Sequence, residues 1–252
     1  MAESVQNQTN ITNSLTSTVT SRFSSAEWFD FVQTTKIAII GAGGIGSWLT
    51  LFMSRLNPAS IFLMDDDVVE MKNLAGQMYS SKNSGLLKVE AMVTNVMEFS
   101  AYTAISILSS RFIESTKPAP IMMCGVDNMA TRRIAFEAWA SMVKEMNDSK
   151  QKEDCLFIDG RLSAENLQIF CISGTDDYYM DEYRKDWLFS DKEADETPCS
   201  YKQTTYCASL IGSLMTNLFI NWCTNKNNPT IPRSVPFMTE YAADQIYLKT
   251  VV

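Results

Sequence analysis

The stretch Lys36-Ile-Ala-Ile-Ile-Gly-Ala-Gly-Gly-Ile-Gly-Ser47 constrains the fold of this chain more than any other segment. Its apolar first half predicts a buried strand. The G-x-G-x-x-G that follows predicts a tight turn, a close backbone approach to phosphate and close packing of the next helix on the strand. A helix starting there offers N–H groups to an anion. The next apolar run, Ser60–Met64, ends in Asp65-Asp66-Asp67. Asp65 stands about 20 residues beyond the last glycine, where nucleotide-binding folds carry their ribose-binding carboxylate. Gly41, Gly43, Gly44, Gly46 and Asp65 are therefore expected to bind a nucleotide.

Around this unit, apolar periodicity predicts alternating helices and strands. Residues 1–21 read as a polar N-terminal tail, and 22–252 as a single domain. Ser24-x-x-Glu27 is a capping-box pattern ahead of Trp28, Phe29 and Phe31, and predicts a short helix. The expected order is then strand Lys36–Ile40, helix Ile45–Leu56, strand Ser60–Met64, helix Leu86–Phe99, strand Ala104–Leu108, strand Ile121–Cys124 and helix Met129–Met146. Strands Cys155–Asp159 and Asn166–Ile172, a helix over Tyr206–Trp222 and a hairpin of Phe237–Tyr241 with Gln245–Lys249 complete it. The fold class is α/β: a doubly wound, mainly parallel, Rossmann-like sheet with an antiparallel C-terminal extension. Residues 173–203 are acidic with little periodicity and read as a long variable loop or crossover.

Composition removes several function classes. The formal net charge is −8, which argues against nucleic acid as a partner. There is no histidine, so no imidazole base, Ser-His pair or Cys-His pair is available. The six cysteines form no C-x-x-C pair, so neither a structural zinc nor a disulfide framework is indicated. No apolar run reaches the roughly 20 residues of a membrane span, and no leader pattern opens the chain, so a cytoplasmic protein without membrane partners is expected.

The joint order of Gly41-Ala-Gly-Gly-Ile-Gly-Ser47, Met64-Asp-Asp-Asp67, Asn73-Leu-Ala-Gly-Gln77, Gly85-Leu-Leu-Lys88 and Gly125-Val-Asp127-Asn128 with Arg132 resembles the ThiF/MoeB adenylyltransferases, relatives of ubiquitin-activating enzymes. The resemblance runs from about Arg22 to the C-terminal hairpin. It implies ATP and Mg²⁺ as cofactors, with Asp65 on the ribose and Asp67 ordering either the loop that leads to Asn73 and Gln77 or a metal. Asn73 and Lys88 would reach the triphosphate, and Asp127 would be the magnesium ligand. It also implies a homodimer in which Arg22 reaches into the partner's site. The family commonly has arginine before the glutamine of N-L-x-R-Q, whereas this chain has Gly76; Arg22, Arg55 and Arg132 are the candidate substitutes.

The implied chemistry suits a chain without histidine, because a C-terminal carboxylate is already ionised at neutral pH. It can attack the α-phosphorus of ATP by positioning and electrostatics alone. The expected substrate is a ubiquitin-like or sulfur-carrier protein, with a short peptide as the alternative. Cys199, near Lys202 and where thioester-forming relatives carry their cysteine, is the candidate thiolate to capture the adenylate. Two other readings stay open: an NAD-dependent oxidoreductase, because the same fingerprint serves both, and a catalytically weak scaffold, because of Gly76.

Overall fold

A computed structural model describes residues 18–190, 203–228 and 230–252 of the 252. Helix α1 (Phe29–Val32) leads into β1 (Lys36–Ile40), α2 (Gly44–Leu56) and β2 (Ser60–Met64). Two 3-10 turns, Met71–Ala75 and Ser81–Asn83, precede α3 (Lys88–Ser100) and β3 (Ile105–Leu108). Then come β4 (Ile121–Cys124), α4 (Met129–Glu145), α5 (Ser149–Glu153), β5 (Leu156–Ser163) and β6 (Asn166–Ser173). Helix α6 (Asp177–Glu182), α7 (Thr205–Asn227), β7 (Met238–Ala242) and β8 (Tyr247–Val251) finish the chain. The expected elements are present, with ends displaced by a few residues and α7 five residues longer at its C-terminus than its apolar run suggested.

The strands form one sheet in the order β3-β2-β1-β4-β5-β6-β7-β8. The first five are parallel, and β5 to β8 pair antiparallel. From β1 the chain builds outward to β2 and β3, then returns to place β4 on the other side. That reversal opens a crevice at the carboxyl ends of β1 and β4, where ligands bind in such sheets. Strand β5 outruns its neighbour: Leu156–Asp159 pair with β4, while Gly160–Ser163 pair only with β6.

Each face of the sheet is covered. On one, α2, α3 and α7 bury Leu49, Met53, Val89, Met92, Ile211 and Met215 against Ile37, Ile39, Ile61 and Leu63. Helices α2 and α7 approach closely because Gly212 has no side chain: a Cβ there would lie 3.1 Å from the Leu49 nitrogen. On the other face α4 buries Met129, Arg132, Phe136, Trp139, Ala140 and Val143, a three-and-four spacing that fixes its orientation. Asn128 Oδ1 accepts from the Thr131 N–H at 2.8 Å and starts that helix.

Two local expectations are corrected. Ser24 and Glu27 form no capping box: α1 begins at Phe29 with Trp28 in the cap position. Glu27 instead holds the far end of α7, its carbonyl accepting from Asn227 Nδ2 at 2.6 Å and its carboxylate from Asn228 Nδ2 at 3.3 Å. The acidic stretch after β6 is not loop throughout. Asp176 caps α6 through the Tyr179 N–H, and the chain continues in a π-helical turn over Tyr183–Trp187. Met180, Tyr183 and Leu188 are buried there, so a few anchors dock a segment whose composition is otherwise that of a solvated loop.

Candidate nucleotide site

The glycine-rich turn sits at the crevice between β1 and β4. Gly41 has φ +92°, a left-handed conformation that favours glycine, and its N–H donates to Met64 O at 2.8 Å. A Cβ on Gly46 would overlap the Gly41 carbonyl, so the first turn of α2 packs directly on the end of β1. Among the described residues nothing crowds Gly43, and no side chain caps α2 by a hydrogen bond. Its first N–H groups have no intrahelical partner. The turn and the helix start thus have the form of an anion cradle.

Asp65 lies directly behind this cradle. Its Oδ2 accepts from the Ala42 N–H at 2.7 Å, and its Oδ1 from the Asp67 N–H at 2.9 Å. Burial pushes its carboxyl above the ordinary carboxylate range, against the pull of those N–H groups and of Lys88. Lys88, the first residue of α3, is 7% exposed at its side chain. Its ammonium lies 2.6 Å from Asp67 Oδ2 and 3.9 Å from Asp65 Oδ1. Tyr79 ties the layers together, its hydroxyl donating to Ala42 O at 2.6 Å. Gly41, Gly43, Gly44, Gly46, Asp65, Asp67 and Lys88 are therefore gathered at one place.

The connection between β2 and α3 carries the other expected residues. Asn73 Oδ1 accepts from the Glu70 N–H at 2.8 Å and closes the first 3-10 turn. Trp48 Nε1 donates to Gly76 O at 3.0 Å, and the Met78 N–H donates to Ser47 Oγ at 3.0 Å, binding this connection to α2. Gln77 is buried, and among the described residues its Oε1 has no hydrogen-bond partner. Asp127 is exposed just beyond β4, with Asn128 Nδ2 at 3.5 Å from its Oδ1.

Three arginines were candidates to replace one at position 76. Arg22 is exposed ahead of α1. Arg55 is in the last turn of α2, roughly 16 Å along the helix axis from its first residue, at 1.5 Å per residue. Arg132 is buried and engaged within the protein. Its Nε donates to Asp159 Oδ1 at 2.7 Å and its Nη2 to Val126 O at 2.6 Å. Its function in the fold is to hold the turn that carries Asp127. Cys199 and Lys202 lie outside the described residues. The other five cysteines are all buried, and burial pushes the Cys124 thiol up to about 12 and that of Cys155 to about 11.

One cluster was missed. Asp159, fully buried, receives Arg132 on one oxygen, and Arg161 Nε at 2.8 Å and the Tyr183 hydroxyl at 2.8 Å on the other. Burial alone would raise the Asp159 carboxyl; the two guanidiniums outweigh it and hold it below the usual range. Arg161 also stacks on Phe170, 4.6 Å from the ring centre. The signal was present as two charges, Asp159 and Arg161, in a run that otherwise reads as a buried strand.

Among the described residues no helix is long and apolar enough to cross a membrane. The chain is 28% identical over 141 residues to the NEDD8-activating enzyme E1 catalytic subunit of Caenorhabditis elegans, covering 53% of this chain and 33% of that protein. It is 25% identical over 142 residues to the adenylyltransferase and sulfurtransferase MOCS3 of Aedes aegypti, covering 54% and 32%. The chain thus spans about a third of the length of these relatives. Among solved structures, PaaA superposes with a TM-score of 0.68 at 13% identity, over 99% of this chain and 73% of that one. Escherichia coli MccB with ATP superposes with a TM-score of 0.63 at 15% identity, over 89% and 65%. At those identities the superpositions speak for the fold alone. The ThiF family matches residues 20–246, nearly the whole described sheet and its helices, and the chain belongs to that family.

Proposed function

We propose that this protein is an ATP-dependent adenylyltransferase that activates the C-terminal carboxylate of a ubiquitin-like or sulfur-carrier protein. The observation that carries this reading is the pinning of Asp65 behind an uncapped glycine-rich helix start, beside the buried Lys88 ammonium. The two oxygens of Asp65 keep lone pairs free for the ribose hydroxyls. The α2 N-terminus receives phosphate oxygens, and Lys88 supplies positive charge beside it. Asp127, an exposed carboxylate at the same edge of the sheet, fits a magnesium ion, which would neutralise phosphate charge there.

In the reaction a carboxylate oxygen of the carrier bonds to the α-phosphorus, and the bond from that phosphorus to the bridging oxygen of the β-phosphate breaks. Pyrophosphate leaves with the electron pair, and the product is an acyl adenylate. No proton is moved, so the absence of histidine costs nothing. Cys199 would then capture the acyl group as a thioester with release of AMP. A homodimer would let Arg22 of one copy reach the other's site. The peptide alternative is favoured by the likeness to MccB, solved with the peptide MccA.

ATP–pyrophosphate exchange tests the reading. Exchange dependent on Mg²⁺ and on a carrier or peptide with a free C-terminus is expected, together with thermal stabilisation by ATP and magnesium. Stabilisation by NAD alone would return the oxidoreductase reading, and ATP binding without exchange on any substrate would favour a scaffold. Intact-mass analysis with Cys199→Ala tests the thiolate: an unchanged thiol-sensitive adduct in that variant removes Cys199 from the role.

A further inference from the structure

Gly76 is buried, yet its φ of −137° is outside the left-handed region, so backbone conformation does not call for glycine. Space does. A Cβ added there would lie 2.9 Å from Gln203 Cγ and 3.0 Å from both Cδ and Nε2. A Cβ added to Gly44, the first residue of α2, would overlap Oε1 of the same side chain. Two glycines on separate elements therefore give room to one carboxamide.

That side chain is held from several sides. Gln203 makes a bridge to Ala164 at the β5–β6 turn, and Thr204 caps α7 by accepting from the Cys207 N–H. The Thr205 hydroxyl donates to Ala75 O, fastening the start of α7 to the residue beside Gly76. The carboxamide is thus half-buried against the uncapped N-terminus of α2. Among the described residues no hydrogen-bond partner satisfies it.

We propose that Gln203 completes the phosphate end of the nucleotide site, its carboxamide N–H donating to a phosphate oxygen bound at the start of α2, and that Gly76 is glycine to make room for it. This rests on the ATP reading above. Rotation of the amide places its N–H₂ on either side, so one side chain can satisfy a phosphate oxygen at this terminus. An arginine at position 76 could not share the site with Gln203 where it stands.

The test is a cycle of wild type, Gln203→Ala, Gly76→Arg and the double variant, with Gln203→Glu as an isosteric control. Calorimetric titration with a non-hydrolysable ATP analogue and Mg²⁺ is set beside titration with adenosine. Gln203→Ala is expected to weaken the analogue about tenfold, the loss of one charge-assisted hydrogen bond, and to leave adenosine unchanged. Gln203→Glu, which keeps the shape and puts a negative charge at the phosphates, is expected to weaken it further. Gly76→Arg alone lowers both the melting temperature of the ligand-free protein and analogue affinity, and the double variant recovers both. Equal analogue affinity for wild type and Gln203→Ala overturns the inference, as does Gly76→Arg damage that Gln203→Ala fails to relieve. If wild type binds no analogue, the nucleotide reading fails and the phosphate role falls with it. The melting-temperature cycle would then still report whether Gly76 and Gln203 share one space.

Discussion

Asp159 is a residue whose removal the structure makes costly. Its carboxylate is fully buried and is the anionic partner of Arg132 and Arg161, with side chains 5% and 11% exposed. Asp159→Asn keeps the shape of the side chain and deletes the charge, so two guanidiniums are left in a low-dielectric interior without it. Breaking a buried pair in this way costs about 3–5 kcal/mol. For a chain of this size, at about 2–4 °C per kcal/mol, the melting temperature should fall by about 6–20 °C. The pH dependence has a definite sign. The folded-state carboxyl is held below its unfolded value of about 3.9. Its contribution is therefore fully present above that unfolded value and is lost as pH falls through the folded one. Urea denaturation of wild type and Asp159→Asn at pH 7, and again below pH 4, reads both effects. The gap between the two proteins should narrow in acid. A loss below about 1 kcal/mol at pH 7, or a gap that widens in acid, would refute the assignment of Asp159 as the charge centre of this cluster.

Other expectations follow from the same contacts. Gly46→Ala forces its Cβ onto the Gly41 carbonyl, and should cost about 2–3 kcal/mol of stability together with ATP affinity, seen by urea denaturation and titration. Asp65→Asn removes the charge behind the cradle while retaining an oxygen, and should weaken ATP binding about ten- to a hundredfold by calorimetry, in line with the cost of a hydrogen bond to a charged group. Asn128→Ala deletes the α4 cap and should cost about 1 kcal/mol, a melting shift of about 2–4 °C. If Asn128→Ala leaves the melting temperature unchanged, that cap is not holding the helix.

The sheet was legible because β1, β2, β4 and the first half of β5, Leu156–Ile158, are mostly apolar runs, as strands buried on both faces must be. The helices between them announced themselves by spacing. The site was legible where chemistry and backbone coincide, at Gly41, Gly46 and Asp65. Lys88 was assigned to the nucleotide, but the ion pair that holds its ammonium to Asp67 joins residues 21 apart, which periodicity cannot reveal. Arg132 shows the limit more sharply: its partner Asp159 is 27 residues away on a strand, and a helix-face arginine reads the same in sequence whether it meets a ligand or a buried carboxylate. Gln203 was silent for a related reason. Its role is defined by the absence of side chains at Gly44 and Gly76, far from it along the chain, and the space left by a glycine has no signature at the residue that fills it.

The close approach of α7 to α2 through Gly212 has a consequence for the protein's birth on the ribosome. The face of α2 around Leu49 stays bare until Gly212 has been made, 163 residues later. At about 5–20 residues per second that interval is about 8–30 s. Throughout it, Leu49, Met53 and the apolar side of the nascent sheet are open to the wrong partner. A chain released just short of α7 would carry the glycine turn and all five parallel strands, with one face of the sheet incompletely covered and open to aggregation.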